Sequence, residues 1–132
     1  MARYVYPAVF VPEEAGGYSV NFPDLEGCFT QGEDLAEGLE MARDVLSLVL
    51  MGLEDEGKVI PPASRQQDVQ LEDDQFALLV SCDTTEYRKL YGSELVEKTV
   101  QLPLWLNTLA ERADLDLSAV LREALRKKLD RE

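Results

Sequence analysis

Residues 95–132 combine one short alternating segment with two short helical patterns, too little chain to enclose a core of its own. The alternation places Val96, Lys98, Val100 and Leu102 on one face and Glu97, Thr99 and Gln101 on the other, as in a half-buried β-strand. We predict that Pro103 occupies the first turn of one helix and that Asp116 caps a second. A lone strand has unpaired edges, and so small a unit buries little apolar surface. The pattern therefore predicts a homodimer through residues 95–132.

The preceding residues predict an α+β domain with the element order β-β-β-α-β. Strands are expected at 3–11, 18–22, 28–31 and 76–82, where β-branched and aromatic residues cluster or alternate. Between the third and fourth strands, Asp34 and Glu37 form a capping-box pair that opens a helix running to about Asp55, and Gly57 ends it. Because Pro7 cannot donate a ladder hydrogen bond, the first strand is expected at a sheet edge or with a bulge.

This change of pattern divides the chain into three parts. Residues 1–84 are expected to form the first domain, residues 85–94 a linker, and residues 95–132 the second module. The connector is polar and contains tyrosines, and it has room for a short helix.

The negative charge of the chain is concentrated in its first part. The whole chain has a net charge of −13. Residues 1–92 hold 18 acidic and 6 basic side chains, a net of −12, whereas residues 93–132 hold 8 and 7, a net of −1. Such a surface repels nucleic acid and attracts a basic partner, although plain solubility is an alternative explanation. Basic residues gather near the end of the chain: Arg122, Arg126, Lys127, Lys128 and Arg131.

The composition argues against an enzyme. The chain has no histidine, which removes the commonest general base and metal ligand. Cys28 and Cys82 lack metal-site spacing and are expected to be small buried hydrophobes, so neither a cofactor nor a metal is predicted. The sequence contains no apolar run of membrane-spanning length and no signal-peptide layout, so we expect a cytoplasmic protein without a membrane partner.

The second module resembles the ribbon-helix-helix family of repressors, most clearly in the VQLP step at 100–103 and the LREAL run at 121–125. The resemblance implies that the paired strands enter the major groove of operator DNA. The strand residues opposite Val100 and Leu102 would then read bases: Glu97, Thr99 and Gln101. The backbone amides of Leu117 and Ser118 would bind a phosphate. The strand has no arginine or lysine on its outward face, so a dimerisation module without DNA contact stays an alternative.

The first domain resembles the HicB antitoxins in three pieces that occur in the same order: YPAVF at 6–10, GGYSVNFPDLEGCFTQG at 16–32 and IPPAS at 60–64. The resemblance implies a trimmed, partial RNase H-like fold that binds a HicA-like toxin, a small basic ribonuclease that cleaves mRNA. A nuclease of that fold needs an acid on its first strand, and residues 3–11 contain none.

The segment from Tyr18 to Glu26 is our candidate for the toxin contact. Asp24 and Glu26 offer acids beside the aromatic anchors Tyr18 and Phe22, although both rings could instead be ordinary core.

The sequence as a whole predicts an antitoxin that neutralises its toxin and represses its own operon. If the first domains also pair, the dimer would become a tetramer. The alternative is a stand-alone ribbon-helix-helix repressor whose first domain senses a small ligand.

Overall fold

The computed structural model describes residues 2–129. The chain divides into two compact units, and the boundary along the sequence lies between Glu94 and Leu95. The first unit contains, in chain order, β1 (Arg3–Pro12), β2 (Tyr18–Asn21), β3 (Phe29–Gly32), α1 (Leu35–Asp55), β4 (Phe76–Asp83) and α2 (Thr84–Tyr91). The predicted order β-β-β-α-β is confirmed, and α2 extends it.

The four strands form one antiparallel sheet in the order β3-β2-β1-β4. Alternate residues of β1 point toward α1, because successive side chains of a strand face opposite sides. The core between sheet and helix includes Tyr6, Ala8, Phe10, Val20, Phe22, Ala42, Leu46, Leu50, Val80 and Cys82. One helix laid on one sheet therefore buries the apolar stripe that the sequence carries.

Both ends of α1 are set by the predicted residues. The Asp34 side chain accepts a hydrogen bond from the Glu37 amide at 2.8 Å, and the Glu37 side chain accepts one from the Glu33 amide at 3.1 Å. Two amides that lack helical partners are thereby satisfied. After Asp55 the chain leaves the helix, and Gly57 adopts the positive φ of +66° that glycine permits.

The prediction that β1 lies at a sheet edge or carries a bulge at Pro7 is wrong, because the strand is internal and its register with β4 is continuous through Pro7. β1 lies between two neighbours, pairing with β4 along Arg3–Phe10 and with β2 along Val9–Pro12. At Pro7 itself only β4 is paired, so the missing backbone donor falls where the strand has a single neighbour. Sequence alone shows that a donor is missing, but it does not show that pairing changes sides along the strand.

The segment predicted as a linker, residues 85–94, needs correction as well. It contains most of α2, which packs against α1 within the first unit. Arg88 of α2 forms ion pairs with Glu54 at 3.1 Å and Asp55 at 2.8 Å. The first compact unit therefore extends ten residues beyond the predicted boundary at residue 84, to Glu94.

The second unit contains α3 (Leu104–Arg112) and α4 (Leu117–Lys128). The predicted cap of α4 is confirmed, since the Asp116 side chain accepts from the Ala119 amide at 3.2 Å. Pro103 takes the position immediately before α3 rather than within its first turn. Residues 95–102 lie outside helices and strands in the single chain, and their side chains are exposed. A β-strand is stabilised by pairing with a neighbouring strand, and the described part of the single chain offers none here. The strand predicted over residues 96–102 therefore stays a prediction.

Along residues 2–129, none of the helices combines the length and the apolar character needed to cross a membrane.

Substituting Gly32 tests the close approach of β3 to α1. A Cβ at Gly32 would lie 2.4 Å from the Gly38 backbone nitrogen, where neither backbone can yield easily. Gly32→Ala should lower the free energy of unfolding by about 3 kcal/mol. Gly52→Ala is the control, because its Cβ meets open space and helix propensity should raise stability by about 0.5–1 kcal/mol.

Urea unfolding followed by the near-ultraviolet circular dichroism of the tyrosines is the measurement. All five tyrosines lie in the first unit and the one tryptophan in the second, so the two units give separate signals. Equal midpoints for Gly32→Ala and the parent chain would contradict the packing described.

Candidate functional site

Of the four residues predicted to contact a partner, Phe22 is enclosed in the core of the first unit and Tyr18 is half-buried. Phe22 is 2% exposed and packs in the core, so its proposed role as an exposed anchor is corrected to a packing role. Tyr18 is half-buried, with its ring edge-on to Phe10 and Phe76 at centroid distances of 6.1 and 5.8 Å. Only part of the Tyr18 ring therefore reaches the surface.

The two acids of the same segment differ in their surroundings. The Asp24 carboxylate accepts hydrogen bonds from the Ser64 amide at 2.8 Å and from the Ser64 hydroxyl at 2.6 Å. It thereby holds the loop after α1, which the Tyr6 hydroxyl also fixes by donating to the Pro61 carbonyl. Glu26 is exposed. Glu26 and part of Tyr18 are thus the accessible portion of the predicted contact.

A concavity of the first unit lies elsewhere, between α1, α2 and the sheet residues beside them. It has a volume of about 570 Å³, and we call it the tyrosine cleft. Its main lining residues are Val5, Glu40, Asp44, Tyr87, Leu90 and Tyr91. The rings of Tyr87 and Tyr91, one helical turn apart, have centroids 4.8 Å apart. The cleft thus joins an aromatic helix face to an acidic one.

A half-buried carboxylate holds α2 against α1 and so shapes this cleft. Glu54, near the end of α1, accepts hydrogen bonds from the Tyr4 hydroxyl at 2.7 Å, the Thr84 hydroxyl at 3.0 Å and the Arg88 guanidinium at 3.1 Å. Burial alone would raise the pKa of Glu54, but hydrogen bonds to its carboxylate, among them those from Tyr4, Arg88 and Thr84, outweigh it and lower that pKa from 4.5 to about 2. The same bond, with burial, raises the pKa of Tyr4 to about 12.

The second unit presents its predicted DNA-reading residues on an exposed segment. Glu97, Thr99 and Gln101 are all exposed. The amides of Leu117 and Ser118 are the first two of α4, where a helix provides no internal acceptor. Arg126, Lys127 and Lys128 lie in the last turn of α4, and Arg131 lies outside the described residues.

Both cysteines are buried, as predicted. Burial raises the pKa of the Cys28 thiol to about 11 and raises that of Cys82 as well, so neither is a reactive thiolate near neutral pH. Within residues 2–129 no group of three or more cysteine and acidic side chains is arranged to hold a metal ion.

The tyrosine cleft was missed from the sequence, although one signal for it was present. Tyr87 and Tyr91 are spaced i, i+4, as are Glu40 and Asp44, so each pair shares one face of its helix. The sequence does not show that these two faces meet, because that depends on the ion pairs between α1 and α2.

Comparison with protein families gives one match across most of the first unit. The family described as "HicB_like antitoxin of bacterial toxin-antitoxin system" matches residues 6–93, which is more than half of the chain.

Two curated relatives are similar over a shorter range. Antitoxin HicB 1 of Photorhabdus laumondii is 42% identical over 64 residues, covering 48% of this chain and 41% of the relative. Antitoxin HicB of Escherichia coli K12 is 38% identical over 56 residues, covering 42% and 41%. The matched region thus spans about two fifths of the length of these relatives.

Two solved structures share the fold. A toxin–antitoxin complex from Streptococcus pneumoniae has a TM-score of 0.69 and 28% identity, covering 96% of this chain and 99% of that one. The Burkholderia pseudomallei antitoxin HicB has a TM-score of 0.56 and 18% identity, covering 94% and 98%, a likeness of fold alone.

Removing the charge of Glu54 tests the network that positions α2. Glu54→Gln should lower the free energy of unfolding at pH 7 by about 2 kcal/mol, because three donors lose a charged acceptor. Asp55→Asn is the matched control. Because Asp55 is exposed, this substitution should lower the free energy of unfolding by less than about 1 kcal/mol.

The effect of Glu54→Gln should depend on pH. The folded-state pKa is lowered from 4.5 to about 2, so the stabilisation is present above the unfolded-state value and is lost as pH falls toward 2. The gap in urea midpoint between the parent chain and Glu54→Gln should therefore shrink from pH 7 to pH 3. A gap that is constant with pH would contradict an ionised, hydrogen-bonded Glu54.

Proposed function

Because the chain belongs to the family of HicB-like antitoxins of bacterial toxin–antitoxin systems, we propose that its first unit neutralises a HicA-like toxin by covering that toxin's RNA-binding surface. Antitoxins of this kind are not enzymes. The partner in this proposal is a small basic ribonuclease that cleaves mRNA. An acidic domain would compete with RNA phosphate for the same cationic surface.

The observation that carries this proposal is the family match over residues 6–93. These residues lie in the part of the chain that holds nearly all of the net negative charge. Residues 1–92 have a net charge of −12 out of −13. The similarity to a toxin–antitoxin complex from Streptococcus pneumoniae supports a toxin partner. Within the proposal, Glu26 and the accessible part of Tyr18 contribute to the contact, whereas Asp24 acts mainly by holding the loop at Ser64.

The first unit also fits the idea of a partial RNase H-like fold that has lost its chemistry. β1 contains no acidic residue, and a two-metal nuclease of that fold needs one there. We therefore propose that the first unit is a binding domain derived from an RNase H-like fold.

The second unit is proposed to bind operator DNA as a ribbon-helix-helix homodimer, so that the protein represses its own operon. In residues 95–129 of the single chain no residue is buried. Large apolar side chains are exposed on both helices: Leu104, Trp105, Leu106, Leu109, Leu117, Val120, Leu121 and Leu125. A second copy would cover these side chains and pair with residues 95–102. Pairing of the first units as well would give a tetramer.

Binding to the toxin is tested by co-expressing the full chain with the small basic protein encoded beside it. We expect the two to purify together and the association rate to fall about tenfold or more between 0.05 and 0.5 M salt, because long-range attraction between opposite charges is screened. Stopped-flow mixing measures this rate. Failure to form a complex at low salt would contradict the masking role.

DNA reading is tested by Thr99→Ala combined with Gln101→Ala. The double variant should lose its preference for the operator over random DNA, since two of the three outward side chains that can bond to base edges are gone. Gel-shift titrations against both DNAs measure this preference, and sedimentation confirms that the dimer remains. A retained operator footprint in an intact dimer would place base reading elsewhere.

A further inference from the structure

We propose that the tyrosine cleft is the anchoring site for a basic segment of the toxin, one that carries a lysine or arginine beside apolar side chains. This inference rests on the proposed toxin-neutralising function and names the surface that performs it. It moves the centre of the contact away from the Tyr18–Glu26 segment, which shares no residue with the lining of the cleft.

Much of the apolar lining of the cleft is exposed to solvent. Val5 is 51% exposed, Leu90 59% and Tyr91 55%, and Tyr87 is half-buried beside Tyr91. Tyrosines supply a large contact area at low conformational cost and are enriched among the residues that dominate binding energy. A partner that covers this lining would remove several apolar groups from water together.

Two carboxylates at the rim of the cleft add negative charge that does not stabilise the fold. Glu40 and Asp44 lie one turn apart on α1, where like charges repel. Among the described residues, neither carboxylate makes a hydrogen bond or an ion pair. Two exposed carboxylates that destabilise their own helix gain a partner when a cationic side chain enters the cleft.

The other charged residues of the rim are already engaged. Arg43 donates from Nε to the Ser81 carbonyl at 3.1 Å. Arg3 lies 3.7 Å from Asp83, and Glu86 lies 3.1 Å from Lys89. A hydrogen bond to a carbonyl leaves the positive charge of Arg43 in place, so the lining has two arginines against four acidic side chains and a net charge of −2.

Tyr87 connects the aromatic and acidic sides of the cleft. Burial raises the pKa of Tyr87, and the nearby charge of Asp44 raises it further. The Asp44 carboxylate and the Tyr87 ring thus both line the cleft, close enough for the charge of Asp44 to affect the Tyr87 hydroxyl. A lysine or arginine placed there meets an aromatic ring and a carboxylate together, an arrangement that suits a cation on both counts.

The shape and charge favour a protein segment over nucleic acid or a small ligand. Small-ligand sites enclose most of their ligand, whereas the lining here is more than half exposed at three positions. With a net charge of −12 over residues 1–92, the first unit repels phosphate. The occupant that fits is a basic, partly apolar stretch of protein.

The test compares two charge reversals of equal size in the full chain. Glu40→Lys with Asp44→Lys changes the cleft, and Glu72→Lys with Asp74→Lys changes two exposed acids outside it. Titration calorimetry with the toxin should show affinity weakened about a hundredfold by the first pair and less than about threefold by the second. Unchanged tyrosine circular dichroism and urea midpoints establish that both variants are folded.

A second variant tests the apolar lining without changing charge. Leu90→Ala with Tyr91→Ala should weaken toxin binding by about tenfold or more, mainly through faster dissociation. If the parent chain binds toxin and the cleft variants bind as well as the control, the cleft inference is overturned while the proposed function stands. If the two charge reversals weaken binding equally, only overall charge matters, and the inference is again overturned. A parent chain that does not bind toxin contradicts both proposals.

Discussion

The carboxylate of Glu54 is the contact on which the arrangement of the first unit depends. It receives hydrogen bonds from β1, from the first residue of α2 and from Arg88 one turn later. Charged hydrogen bonds of this kind are strong where water is excluded, and losing one partner leaves the others unsatisfied. Because the network joins three elements at one point, it fixes the helix face that carries Tyr87 and Tyr91. The proposed binding surface thus depends on a half-buried hydrogen-bond network beside it.

The two units of this protein differ in how they obtain their stability. The first unit encloses a core of its own between one sheet and α1, and it carries almost all of the excess negative charge on its surface. The second unit buries no residue in a single chain and depends on a further copy for its core, in the proposal made here. If the proposal holds, the toxin-masking surface and the dimerising module can change independently, because neither unit provides the other's core.

Local signals in the sequence predicted the elements well, and relations between elements poorly. The caps at Asp34 and Asp116 were predictable because a capping side chain bonds within its own turn. The interior position of β1 was not, because Pro7 reports a missing donor and not the number of neighbours. Alternation predicted that Tyr18 and Phe22 share a face, but only packing shows that Phe22 is enclosed. Helix α2 looked like a linker because its anchor, the pairing of Arg88 with Glu54, is distant in sequence.

The most direct test of the central claim is to look for a small basic protein encoded beside this chain and to measure the growth of a culture that expresses it, alone and together with the full chain. An antitoxin that masks its toxin predicts arrest in the first case and restored growth in the second, with both proteins present at normal levels. Arrest that persists although the chain accumulates, or a neighbour that is harmless by itself, would contradict the account.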